Sequence, residues 1–107
     1  LSPDDPGYKG YYFGNQTSRD HAYHNGTVWA WLLGHFAEGY LKLHGKAAKN
    51  FVEKIIKGFD GVMTQYGIGT VAEIYDGDAP HRPKGSVSQA WSIAELLRMM
   101  DLVKRIN

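Results

Sequence analysis

The chain has 107 residues, 43% hydrophobic and 21% charged, a balance that fits one globular domain. Its 12 basic and 11 acidic residues leave a net charge of +1, which makes no electrostatic case for nucleic acid or an anionic membrane. Cysteine is absent, so disulfides and thiolate metal sites are excluded, and no apolar run approaches the length of a membrane span.

Residues 1–25 read as an irregular segment. Pro3 and Pro6, several glycines and the aromatics Tyr8, Tyr11, Tyr12 and Phe13 show no sustained period. Leu1 is not Met, so the chain is expected to begin inside something larger or after processing. Its opening residues lack signal-peptide character, which fits a cytoplasmic location. Asn25 is the expected N-cap of a helix from about Thr27 to Leu43, with Trp29, Leu32, Leu33, Phe36, Tyr40 and Leu43 on one stripe. Gly34 and Gly39 inside it cost about 1 kcal/mol each relative to Ala, tolerable where another backbone packs closely. Gly45 is a natural stop.

A second helix is expected from about Lys46 to Met63, burying Phe51, Ile55 and Phe59 and solvating Lys49, Glu53, Lys57 and Asp60. Residues 66–85 form a long loop, because Gly67, Gly69, Gly77, Gly85, Pro80 and Pro83 forbid a continuous helix. Thr70 to Tyr75 suits a short extended piece. Loops of this length in compact domains are usually functional or disordered, and Val71, Ile74 and Tyr75 argue against disorder. Ser86 and Gln89 form an expected capping box for a third helix running to about Arg105. Its apolar positions, among them Trp91, Ile93, Leu97 and Met100, cover nearly half the circumference. Such breadth predicts faces meant for further helices, and self-association where they are uncovered.

Glu73 is the leading candidate for chemistry. It stands between Ala72 and Ile74 rather than in a solvated charge run, a setting that suits a general base. An exposed loop glutamate is the plainer alternative. Asp76 and Asp78 flank Gly77, and local hydrogen bonds that shape a turn explain them best. Asp20-His21-x-x-His24 invites a metal reading, but no third ligand stands at a supporting spacing, so no metal is expected. Trp29, Trp31 and Trp91 fall on expected helices, which makes core packing the default and a sugar platform the alternative.

Three motifs in order make a resemblance specific. They are His24-Asn25-Gly26-Thr27-Val28-Trp29-x-Trp31-Leu32-Leu33-Gly34, then Ala72-Glu73-Ile74-Tyr75-Asp76-Gly77-Asp78, then Ser88-Gln89-Ala90-Trp91-Ser92-Ile93-Ala94-Glu95. Together with the opening Leu1-Ser2-Pro3, they resemble the C-terminal part of glycogen debranching enzymes, the amylo-α-1,6-glucosidases, of archaeal and bacterial type. The resemblance implies an all-α chain, a helical hairpin plus a third helix, forming part of an (α/α)6 toroid. It implies hydrolysis of α-1,6-linked glucose at the branch points of an α-glucan such as glycogen or limit dextrin, without a cofactor. Glu73 matches the family's general base. His24, Trp29, Tyr75, Asp76 and Trp91 are the expected sugar-contacting or subsite-shaping residues. The family's general acid is an aspartate upstream of this region, so the chain alone is expected to be inactive. Ala30 stands where a proline is common in the family. The alternative of a different class is a non-catalytic helical module that binds glucan or another protein.

Overall fold

The computed structural model describes residues 1–106. Four α-helices succeed one another: α1 (Gln16–Tyr23), α2 (Leu32–His44), α3 (Lys49–Val62) and α4 (Ala90–Arg105). A turn of 3-10 helix (Gly45–Ala48) joins α2 to α3, with Gly45 at φ 54 closing α2 as expected. Two short strands, β1 (Ile74–Tyr75) and β2 (Pro83–Lys84), pair antiparallel inside the long loop. The chain is thus mostly helical, as the sequence predicts, with a small hairpin added.

α4 packs against both α2 and α3. The core between them holds Ala37, Leu41, Val52, Phe59, Leu96, Met99 and Val103. Its geometry differs from the expected stripes. On α2 the buried residues are Gly34, Ala37 and Leu41, whereas Leu32, Phe36 and Leu43 are exposed. Small side chains allow α4 to approach closely. A Cβ on Gly34 would meet the Glu95 side chain rather than another backbone, and Gly39 opens onto empty space. On α4 the buried row is Ser92, Leu96, Met99 and Val103, one position round from the expected face, and Trp91, Leu97 and Met100 are exposed. The buried face carries Leu96, Met99 and Val103 into the core, and Ser92 beside them is satisfied because its hydroxyl donates to Ala72 O at 3.1 Å.

Three local expectations need correction. Residues 1–25 contain α1, capped by the Asn15 side chain, which accepts from Ser18 N at 2.9 Å. Asn25 caps no later helix; its amide donates to His21 O at 2.7 Å, closing α1, and α2 begins at Leu32. The Ser86–Gln89 capping box does not form. Gln89 is itself the N-cap, and the Ser86 amide donates to Glu73 Oε2 at 2.9 Å.

The loop is fastened on every side. Val71 and Ala72 are buried against the start of α4, where Gln89 N donates to Val71 O at 3.1 Å. Val28 and Tyr75 exchange two backbone hydrogen bonds of 2.9 Å, which ties β1 to the α1–α2 link. Tyr12 N donates to the Asp76 carboxylate at 2.8 Å and Tyr8 OH to that of Asp78 at 3.0 Å, so the N-terminal segment straps the 76–79 turn. Gly77 permits this layering, since a Cβ there would fall 2.1 Å from Gly26 O.

A charge cluster joins α2 to α4. Arg98 bonds Glu38 at 2.6 Å and Glu95 at 2.7 Å, and Lys42 bonds Glu38 at 2.6 Å. Lys42 and then Arg98 hold the Glu38 carboxyl down at about 2, against an ordinary 4.5. A depressed carboxyl stabilises fully above its unfolded value and loses that contribution as pH falls toward its folded value. Wild-type thermal midpoints should therefore drop between pH 4.5 and about 2 more steeply than those of Glu38→Gln. The difference should shrink in high salt, because the group is partly exposed. Parallel curves would remove Glu38 from the acid response.

Candidate active site

The site gathers where α1 ends, the loop turns and α4 begins. α1 terminates at Tyr23, whose carbonyl accepts from Thr27 Oγ1 at 2.5 Å and from Trp29 Nε1 at 2.9 Å. These bonds fold the 24–31 link back on itself and plant the Trp29 indole beside the Tyr23 ring, centroids 4.7 Å apart. His24 stacks on Trp29 at 5.3 Å with planes 5° apart. Trp91, in the first turn of α4, meets Trp29 at 6.1 Å and stacks on Trp31 at 5.3 Å. The result is an aromatic wall beside a cavity of about 200 Å³ lined by His24, Trp29, Trp31, Leu32 and Trp91. Trp91 is 46% exposed, so core packing does not explain it.

Glu73 stands at the edge of this wall. The Tyr23 hydroxyl donates to its Oε1 and the Ser86 amide to its Oε2. Gly85, at φ 70, lets the backbone pass the carboxylate: a Cβ there would lie 2.6 Å from Oε2. The hydrogen bond to Glu73, followed by burial and the charge of Glu73, pushes the Tyr23 phenol up to about 12. Tyr23 therefore stays a protonated donor at any ordinary pH.

The structure brings together four of the residues singled out from sequence, namely His24, Trp29 and Trp91 in the wall and Glu73 beside it. It places Tyr75 and Asp76 elsewhere. The Tyr75 ring lines a separate apolar cleft of about 390 Å³ with Val28, Leu33, Ile55 and Phe59, and burial raises its phenol pKa. Asp76 is only 2% exposed and anchors the N-terminal strap to the turn by accepting from Tyr12 N. Tyr23 is the residue that sequence reasoning missed. Its segment lacked a period, and nothing local marks a bond to a side chain 50 positions away. Among the described residues, no three His, Asp or Glu side chains gather as a metal site would need.

A fixed carboxylate linked through Tyr23 to a partly exposed indole wall has the parts of a carbohydrate site. Indole faces stack on the apolar face of a pyranose, and the carboxylate accepts from its hydroxyls or from water. Comparison with known proteins bears on this directly. The family model described as amylo-alpha-1,6-glucosidase matches residues 1–98, which takes in all of these groups. No curated protein and no solved structure matches the chain. With nearly its whole length matched, the chain belongs to the amylo-alpha-1,6-glucosidase family, whose members are glycoside hydrolases related to glycogen debranching.

Proposed function

We propose that this chain is the C-terminal portion of a debranching α-1,6-glucosidase and supplies the loop that carries its general base. Glu73 takes a proton from the water that attacks the anomeric carbon of the branch glucose. The glucose ring rests against Trp29 and Trp91, with His24 at its rim. Tyr75 and Asp76 shape the loop from below. The general acid comes from an upstream aspartate of the full-length protein, completing an (α/α)6 toroid that works on cytoplasmic α-glucan. An inverting pair needs its carboxyls roughly 6.5–9.5 Å apart, which leaves room for the water. The reading rests above all on the double clamp of Glu73 beside an exposed tryptophan wall.

The exposed apolar residues fit the same proposal. Leu97 on α4 and Leu43 on α2 are 59% and 78% exposed, surface that further toroid helices would cover. In isolation those faces favour self-association.

Two assays test the proposal together. The full-length protein should release glucose from a branched limit dextrin and none from linear maltohexaose. The 107-residue chain alone should release none from either, because acid assistance on the order of 10²–10⁴-fold is missing. A full-length protein that binds limit dextrin without turnover would instead support a non-catalytic glucan-binding module. Turnover by the short chain would place both carboxyls within it.

A further inference from the structure

We propose that Tyr23 is a positioning residue for the general base, fixing the Glu73 carboxylate through a neutral hydrogen bond. The proposal rests on the reading of Glu73 as base and extends it to a residue in a separate segment. A glutamate side chain has three rotatable bonds, and holding it in a loop costs rotamer entropy. Two donors do this from opposite sides, the Ser86 amide at the end of the hairpin and the Tyr23 hydroxyl at the end of α1. They occupy one lone pair on each oxygen, and the remaining lone pairs are left to meet water.

Tyr23 is itself well anchored. Its ring lies edge-on to His24 at 4.8 Å and to Trp29 at 4.7 Å, and Tyr12 tilts against it at 5.8 Å. Its carbonyl holds Trp29 through the indole N–H. One residue therefore ties the aromatic wall to the carboxylate, so the sugar platform and the base move as a unit. The chemistry of the donor matters too. A lysine here would neutralise the carboxylate. A phenol leaves the full negative charge, which an oxocarbenium-like transition state needs nearby. The raised Tyr23 pKa accords with a phenol hydrogen-bonded to a carboxylate, since an anion beside it resists its ionisation.

The test uses the full-length enzyme and α-glucosyl fluoride, whose leaving group needs no acid. Tyr23→Phe keeps the ring and removes the hydroxyl. Its kcat should fall about 10- to 100-fold with KM within about twofold, the scale of a misplacement near 1 Å. A polyfluorinated tyrosine at position 23 supplies the second readout. It keeps ring and hydroxyl but ionises several pH units lower. Its kcat should gain an alkaline limb that wild type lacks, as ionisation turns the donor into an anion facing Glu73. Glu73, Tyr12 and His24 face this phenol and are unchanged by the substitution, so the new limb belongs to position 23. A purely structural tyrosine would give no limb. Wild-type kcat in Tyr23→Phe, or a fluorotyrosine enzyme without the limb, overturns the proposal. Full turnover in Glu73→Gln would instead overturn the base reading beneath it.

Discussion

Glu73→Gln in the full-length enzyme should lower kcat by about 10²–10⁴-fold and leave KM for limit dextrin nearly unchanged. Glutamine keeps the volume of the side chain, and its one oxygen can accept the Ser86 amide while its NH2 donates to the Tyr23 hydroxyl oxygen. It cannot take a proton from water. The loss falls on the rate because the base acts in the transition state and not in substrate binding. Asp76→Asn is the matched control. Asp76 is buried and accepts the Tyr12 amide, so its charge serves the strap over the turn. That substitution should cost about 1 kcal/mol of stability, the scale of one weakened hydrogen bond, with kcat retained. The opposite pattern, full turnover in Glu73→Gln and none in Asp76→Asn, would assign the base to Asp76.

Ile74→Ala should destabilise the protein by about 2–5 kcal/mol, the range for truncating a buried aliphatic side chain. Ile74 is fully buried beside Glu73 in β1, next to the backbone bridge between Tyr75 and Val28. A cavity there loosens the strand that follows the base directly in the chain, so turnover should fall with stability. Ile68 offers a contrast within the same loop. It is 97% exposed, and Ile68→Ala should change stability by no more than about 0.5 kcal/mol. Urea unfolding of both variants checks the pair. Equal effects would mean that the loop is not anchored through Ile74.

The helices were legible because their apolar residues repeat near 3.6, a signal that survives errors at the ends. Their faces were less legible. Apolarity alone favours Trp91 and Leu97 over Ser92 on α4, yet Ser92 is buried, its hydroxyl satisfied by Ala72 O. On α2 the small residues Gly34 and Ala37 carry the close packing, while Phe36 points outward. α1 escaped notice because it buries only Ala22 and has no apolar stripe, although Asn15 was available as a capping signal. Asn25 and Ser86 each have the type and place of a cap for the next helix, and both bond elsewhere, to His21 O and to Glu73. The Asn25 bond is local but reaches back to α1, whereas the Ser86 partner is supplied by the tertiary fold, which local capping rules cannot foresee. The same limit hid Tyr23. Glu73 and the tryptophans stood out by type and by motif, whereas the tyrosine hydroxyl beside Glu73 is a product of folding alone.

Azide rescue of Glu73→Ala tests the role of Glu73 as base most directly. With α-glucosyl fluoride, the full-length variant has neither a base nor the bulk of the glutamate side chain. Azide is a nucleophile that needs no deprotonation and can enter the vacated space where the water stood. It forms a bond to the anomeric carbon as fluoride leaves. The account predicts negligible turnover without azide, and with azide a rate restored in proportion to its concentration. The product should be the β-glucosyl azide, inverted at the anomeric carbon as attack from the base's side requires. Wild-type turnover of Glu73→Ala in the absence of azide would contradict the account, since the water would then be activated by another group.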